Sequence, residues 1–462
     1  MDNPTCPAAA PTRDIRDALS LRALQHVFPR ETVDRIIAAC GRKEERVRLL
    51  PSHLVLYYVL ALTLFMEDNA REVMRKLAES FLSMGLPMDW HVPNKASLSM
   101  ARARLGVEPF KAMYEEVVKP IAQPEDTFAF YRSRWRVMAI DGVRLDVADT
   151  PSNAAAFGRP ANSRGDRSAY PQVQVLGLAE CGTHAYVDLV LGGCREGETT
   201  LAQPLLRSLA PDMLCLADRN FYGYPLWKAC SEKADLLWRV KKNLILECER
   251  SLPDGSYLAR VYPSSRARSR QRGGIWVRVI RFVLDSPGAP GKPPETYRLI
   301  TTILDHREAP AEELAALYCE RWEFETANDE LKTHQRGRQE VLRSGTPDGT
   351  RQEVYAFFLT HYAIRSLMYD AARQGKIDPD RLSFTHTLHV IQRKVIAQAL
   401  FFLSDSLRRM ILKEILEEIA PRRKYRSNPR VVKRKMSKFP VKRQCHRPAS
   451  TVPAPRPEPR LV

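Results

Sequence analysis

YPQVQVLGLAECGTHAYVDLVLGG, residues 170–193, consists of two apolar runs rich in Val, Leu and Ala on either side of Cys181-Gly182-Thr183-His184. Each run has the length and composition of a strand, and Gly182-Thr183 supplies a turn, so the stretch predicts a β-hairpin. An isolated hairpin is marginal in water and needs further strands or a helix against it. Upstream, WRVMAID (135–141) is apolar and closes on an acid. Downstream, ETTLAQPLLRSLA (198–210) has helical spacing, and MLCLAD (213–218) is an apolar strand that again closes on an acid. YGYPLWKACSEKA (222–234) is helical and DLLWRVKKN (235–243) is a strand. Three strands, a helix, a strand, a helix and a strand make an α/β order, in which the ends of the strands are available for a site.

That order resembles the ribonuclease H-like core, whose acids sit on strands one and four. The core is expected over residues 130–243, and the chain around it divides by texture. After a disordered Pro- and Ala-rich start (1–13), residues 14–125 carry apolar residues at helical spacing in RETVDRIIAACG and REVMRKLAESFLSMG, which predicts a helical N-terminal domain, read as DNA-binding from the basic helix within it. Within it NKASLSMARARLG (94–106) predicts a short helix that offers Lys95, Arg102 and Arg104 to phosphates, as in a helix-turn-helix reader. The alternative is an amphipathic helix with a solvated basic face. Residues 244–309 alternate like strands in SYLARVY, IWVRVIRFVL and TYRLITTIL, with Gly- and Pro-rich turns between them, and read as a β insertion. Its loop SSRARSRQRGG places Arg266, Arg268, Arg270 and Arg272 at every second position with no acid between them, a spacing suited to following a phosphate backbone. A core helix is expected over 310–345, a helical C-terminal region over 346–420, and a basic, Pro-rich tail over 421–462. Basic blocks of this kind bind nucleic acid without sequence preference.

Among the chain's 462 residues, 72 Lys and Arg against 54 Asp and Glu leave a net charge of +18, which favours polyanionic partners. The longest apolar run, LVLYYVLALTLFM (54–66), is short for spanning a bilayer and suits a buried core helix. The first residues, MDNPTCPAAAPTR, lack a basic start and an apolar signal core, so the expected location is the cytoplasm, with no membrane partner. The 9 cysteines form no CxxC pair, which predicts reduced thiols and neither a disulfide framework nor a zinc site.

Aspartate is a poor strand former, so Asp141 in MAIDG and Asp218 in CLADRNFYG need a reason, either turn capping or ligation of a metal. Asp146 and Asp149 compete for the first role, and Asp141 is preferred because it closes a strand with a glycine behind it. A third acid follows in YCERWEFETANDELK (318–332), where Tyr318, Arg321, Glu325 and Lys332 are separated by three, four and seven. On one continuous helix these four share a face within an arc of about 60°. Asp141, Asp218 and Glu325 converging would repel one another unless cations neutralised them, and oxygen-only ligands suit Mg²⁺, with Mn²⁺ the other choice. Such a set suits two-metal phosphoryl transfer without a His base.

With these residues in view, the sequence resembles the DDE transposases of the insertion-sequence-four type. Members carry Tyr, Arg, Glu and Lys with two, three and six residues between them, which Tyr318, Arg321, Glu325 and Lys332 match in identity and spacing. The likeness runs from about residue 20 to 445, through ARARLG, AIDGVRLDVADTPSNAAAFGRP, ECGTH, LADRNFYGY, LLWRVK and VLRSGTPDGTRQEVYAF. It implies excision and insertion of a mobile element in a bacterial, nucleoid-associated setting. Asp141, Asp218 and Glu325 would be the metal ligands, while Tyr318, Arg321 and Lys332 would hold phosphates at the cut end. Its partners would be the terminal inverted repeats and target DNA, bound by a homodimer. Val143 departs from the hydroxyl residue that many relatives carry after Asp-Gly. The rival functions are a stand-alone nuclease on the same core and a catalytically silent DNA-binding protein. Trp238 and Trp276 can stack on a base or pack in a core, Asn220, Tyr222 and Tyr224 can touch DNA or close a turn, and His184 is given no role.

Overall fold

The computed structural model describes residues 24, 26–46, 49–82, 91–161, 167–284, 296–396, 404–420 and 459–461. The start and nearly all of the basic tail therefore lie outside the described residues. The chain divides into two compact units, the first made of residues 1–215 with 321–419, the second of residues 216–320 with 420–462.

In the first unit, the hairpin appears as strands Gln172–Glu180 and Tyr186–Gly193, paired antiparallel around a turn that contains Gly182 and Thr183. Strand Gln172–Glu180 pairs on its other side with strand Trp135–Val147. That strand is 13 residues long and does not end at Asp141. Asp141 lies in its middle opposite Gly177, and Gly142 continues the ladder opposite Leu176. The expectation that an Asp-Gly pair closes the strand is thereby corrected: the backbone of Gly142 stays extended and paired, and no turn forms. Short strands Phe130–Tyr131 and Val341–Leu342 also pair with it, the second in parallel.

Helices from both ends of the chain belong to this unit. The apolar run becomes helix Ser52–Leu64, every residue of which is buried. It packs along helix Pro347–Gly375, and the Thr63 and Thr360 hydroxyls meet at 2.9 Å between them. No helix among the described residues is long and apolar enough to cross a membrane. Helix Lys95–Leu105 forms as its sequence predicts: Asn94 caps it by accepting the Ser97 N–H at 2.8 Å, and Gly106 ends it at φ +75°.

The second unit is built on antiparallel strands Asp235–Arg239, Thr296–Thr301, Ile275–Leu284, Tyr257–Val261 and Arg250–Ser251, neighbours in that order. The strands expected of the β insertion are all present. Pro459–Leu461, at the end of the Pro-rich tail, pairs with Phe282–Leu284. The basic loop is a short helix, Ser265–Ser269, capped by Ser264. Arg266, Arg268, Arg270 and Arg272 therefore do not form the extended run that their alternate spacing suggested. Strand Met213–Ala217 stands at the division between the units, and Asp218 follows its last residue.

Candidate active site

The stretch 318–332 is not one helix. Helix Ala311–Tyr318 ends in the second unit, and a new helix, Arg321–Asp329, begins in the first and passes into a π-helical turn at Glu330–Gln335. The common face of four residues is thus corrected. Only Arg321 and Glu325 keep the α-helical spacing of one turn that sets them side by side.

What the first unit does bring together is Asp141, Arg321 and Glu325. Arg321 donates from Nη1 to Asp141 Oδ2 at 3.3 Å and from Nη2 to Glu325 Oε1 at 3.2 Å. Its side chain is 10% exposed, against 26% for Asp141 and 62% for Glu325, so the carboxylates open outward from a buried guanidinium. Asp141 Oδ1 also accepts the Gly142 N–H at 2.7 Å. Lys332 is half-buried, and burial with the nearby Arg336 charge holds its ammonium below the usual lysine range while Asp141 pulls it back up. Arg336 is held down likewise by burial, with Asp146 and Glu340 raising it. The sequence reading missed Arg336, which stands one turn beyond Lys332.

The rival acids are otherwise engaged. Gln172 donates to Asp146 at 2.7 Å, and Asp149 pairs with Arg159. In the second unit Asp218 lies 3.9 Å from Arg239, whose guanidinium also stacks over the Tyr297 ring at 4.1 Å. Tyr318, expected on a DNA phosphate, is 3% exposed and donates its hydroxyl to the Ala217 carbonyl at 3.4 Å, next to Asp218 in sequence. Burial turns this phenol from an outward donor into a brace for the strand end.

The remaining candidates separate cleanly. Arg102 donates to Ser344 Oγ at 2.9 Å and to the Gly349 carbonyl at 3.0 Å, and Arg104 donates to the Leu50 carbonyl at 2.7 Å. The structure spends both guanidiniums on the protein itself, whereas Lys95 is exposed. Arg266, Arg270 and Arg272 are exposed and Arg268 is partly so. Trp238 is fully buried edge-on against Trp227 at 5.2 Å and is a core residue. Trp276 is 39% exposed beneath the Arg260 guanidinium at 4.2 Å. Tyr224 donates to the Gly273 carbonyl at 2.7 Å, Tyr222 leans on Trp227, and Asn220 is exposed. The buried Val143 side chain packs in the core of its unit. Cys40, Cys181, Cys194, Cys215, Cys230, Cys248 and Cys319 are free thiols.

Asp141 and Glu325 offer only carboxylate oxygens and already bracket one cationic group, the Arg321 guanidinium, a donor set that suits a hard divalent ion. Elsewhere in the first unit, among the described residues, ligand-capable atoms of His184, Glu323 and Asp380 lie within 4.8 Å of one another.

Two family profiles match in tandem, the insertion element 4 transposase N-terminal region over residues 18–115 and the transposase DDE domain over residues 133–361. The chain is 26% identical over 437 residues to the transposase InsG for insertion sequence element IS4 of Escherichia coli (strain K12), covering 91% of this chain and 94% of that one. It is 23% identical over 209 residues to a putative transposase InsZ of the same strain, covering 45% of this chain and 66% of that one. A piggyBac transposase synaptic complex with hairpin DNA aligns at a TM-score of 0.43 and 14% identity, over 95% of this chain and 90% of that one.

Proposed function

Because the chain belongs to the DDE transposases of the insertion-element-4 type, we propose that it cuts DNA at the inverted repeats ending a mobile element and joins the freed 3′ ends to target DNA. As a member of this family it is a DNA-binding, DNA-transferring enzyme with a ribonuclease H-like core. DDE domains use divalent metals, and we assign Asp141, Asp218 and Glu325 as the ligands, with Mg²⁺ as the ion and Mn²⁺ as a substitute. The observation that carries this is the placing of Asp141 and Glu325, far apart in sequence, on the two Nη atoms of one guanidinium.

When bound, the ions would lower the pKa of the attacking water or 3′-hydroxyl and take up charge on the leaving oxygen. The chain's own side chains hold the strand. The planar fork of Arg321 suits a phosphate, and Lys332 adds a point charge beside it. The exposed arginines Arg266, Arg270 and Arg272 offer positive charge to DNA phosphates, and the half-exposed Trp276 offers a face for a base. Tyr318 steadies the strand end that carries Asp218. Synapsis of two ends implies a homodimer on DNA, acting in the bacterial cytoplasm on nucleoid DNA.

Labelled element ends and a target plasmid, incubated with the protein and Mg²⁺, test the reading. Strand-transfer products are expected. Cleavage with no transfer product would point to a stand-alone nuclease, and unchanged cleavage by Asp141→Asn, Asp218→Asn or Glu325→Gln would remove that residue from the metal site.

A further inference from the structure

His184 sits in the turn of the hairpin Gln172–Glu180/Tyr186–Gly193 with its ring 1% exposed and its backbone at φ +57°, a left-handed conformation that a non-glycine residue adopts only when its surroundings enforce it. Its Nδ1 lies 3.1 Å from Glu330 Oε1, and its Nε2 lies 3.2 Å from Glu323 Oε2 and 3.4 Å from Asp380 Oδ1. Glu323 and Glu330 flank Glu325 in sequence, two residues before it and five after. At 100° per residue, positions seven apart return to nearly the same side of a helix, whereas two residues carry the chain to the far side. One imidazole therefore grips the face of the helix that points away from Glu325 and Arg321.

We propose that His184 is a positioning residue of the transposition site, which through Glu323 and Glu330 fixes the rotation and height of the helix presenting Glu325 and Lys332. Glu330, also buried, is the hub: His361 Nε2 lies 3.1 Å from its other oxygen and Arg365 Nη1 lies 3.4 Å from Oε1. Arg365 in turn donates to the Thr183 carbonyl at 2.6 Å and to Asp380 at 3.4 Å, which ties the hairpin tip to the long helix. Three carboxylates, Glu323, Glu330 and Asp380, thus face Arg365 and His184. His361 stays neutral, because burial lowers its pKa and its Nδ1 has no hydrogen-bond partner among the described residues. A charged His184 supplies the second cation. Burial and Arg365 push its pKa down, but Asp380, Glu330 and Glu323 outweigh them and lift it to about 9. The Arg365 guanidinium already rests on the Asp380 oxygen that a metal at His184 would need, which favours the proton as the occupant of Nε2.

The inference rests on Glu325 as a metal ligand, and its test separates the two. In full-length protein labelled with ¹⁵N-histidine, with the signal assigned by its loss in His184→Gln, the His184 ring should titrate near pH 9; titration at or below 6.5 would overturn the proposal. With end DNA saturating, His184→Gln and Glu330→Gln should slow single-turnover cleavage roughly ten- to a hundredfold while end affinity stays within about twofold. The wild-type fall in rate above pH 9 should vanish in His184→Gln, and an unchanged rate and profile would overturn it as well. Zn²⁺ binding at one equivalent to Glu325→Gln protein, lost when His184→Gln is added, would replace the proton with a metal and overturn the charged reading. The titration needs neither DNA nor metal, so it stands even if Glu325→Gln protein cleaves normally.

Discussion

Arg321 divides one guanidinium between Asp141 and Glu325 at 3.3 and 3.2 Å, and those same N–H groups are the ones a phosphate would take. Glu325 is 62% exposed, so solvent screens that pair, and the less exposed Asp141 holds the guanidinium more firmly. Arg321→Ala should weaken binding to element ends and reduce the slope of log affinity against log salt by about one, as expected for one lost phosphate contact. Arg321→Lys keeps the charge without the fork and should recover little of that affinity. An unaltered slope in electrophoretic titrations would place the guanidinium off the DNA. Tyr318 makes the contrasting case. Its buried hydroxyl meets the Ala217 carbonyl at 3.4 Å, so Tyr318→Phe should cost about 0.5–1.5 kcal/mol of stability and slow cleavage with end affinity and salt slope unchanged. Lower affinity at full stability would put the phenol on a phosphate after all. The spacing of Tyr318, Arg321, Glu325 and Lys332 was legible in the sequence, but what each touches was not, because contact depends on which side of a break in the helix a residue falls. Arg336 was missed because it lies beyond the motif that ends at Lys332, in a stretch, HQRGRQE, whose polar residues and glycine single out no one side chain.

The hairpin, the strands of the insertion and the long C-terminal helices could be read from periodicity, since each repeats its apolar pattern for longer than any turn signal interrupts it. The errors fell where a local cue met a tertiary constraint. Asp141-Gly142 looks like a turn, yet both residues keep their places in the ladder against Gly177 and Leu176. The segment after Tyr318 looks like one helix, yet it breaks and then widens into a π turn, a feature that often marks functional sites. The strand residue opposite Asp141 shows how closely these elements fit. A Cβ on Gly177 would stand 2.6 Å from Tyr186 Cδ1 and 3.0 Å from Cε1. Tyr186 cannot swing aside: it is 1% exposed, lies edge-on to Phe358 at 4.9 Å, and donates its hydroxyl to Asn328 Oδ1 at 2.8 Å on the helix that carries Glu325. Gly177→Ala should therefore cost about 1–3 kcal/mol, read as a lower denaturant midpoint, and should slow cleavage by shifting that helix. A midpoint equal to wild type would mean that the ring has room the packing does not show.

At the scale of the molecule, a net charge of +18 governs how the chain meets DNA, but a smaller set of buried charges governs how its first unit answers to pH. His184 has its pKa lifted from 6.5 to about 9, burial opposing and Asp380, Glu330 and Glu323 prevailing. A group raised in the folded state binds its proton more tightly there, so its stabilisation is complete below pH 6.5 and is lost as pH rises through 9. Glu330 runs the other way. Burial works against its charge, but Arg365, His184 and His361 hold the carboxyl well below 4.5, so its contribution is complete above that pH and is lost as pH falls toward its folded value. His361, lowered by burial, also withdraws stability as pH falls below 6.5, because the unfolded chain takes a proton there that the folded chain refuses. Stability of the first unit should therefore peak near neutral pH. On the alkaline side the loss should approach on the order of 3 kcal/mol by pH 9.5, the equivalent of the His184 lift, with coupling to Glu330 sharing part of it. Chemical denaturation followed from pH 6.5 to 9.5 should show the decline in wild type and a nearly flat line in His184→Gln, which starts lower because Glu330 and Glu323 have lost their partner. A wild-type midpoint that holds constant across that range would mean that the imidazole is neutral and that the three carboxylates around it are balanced by Arg365 and solvent alone.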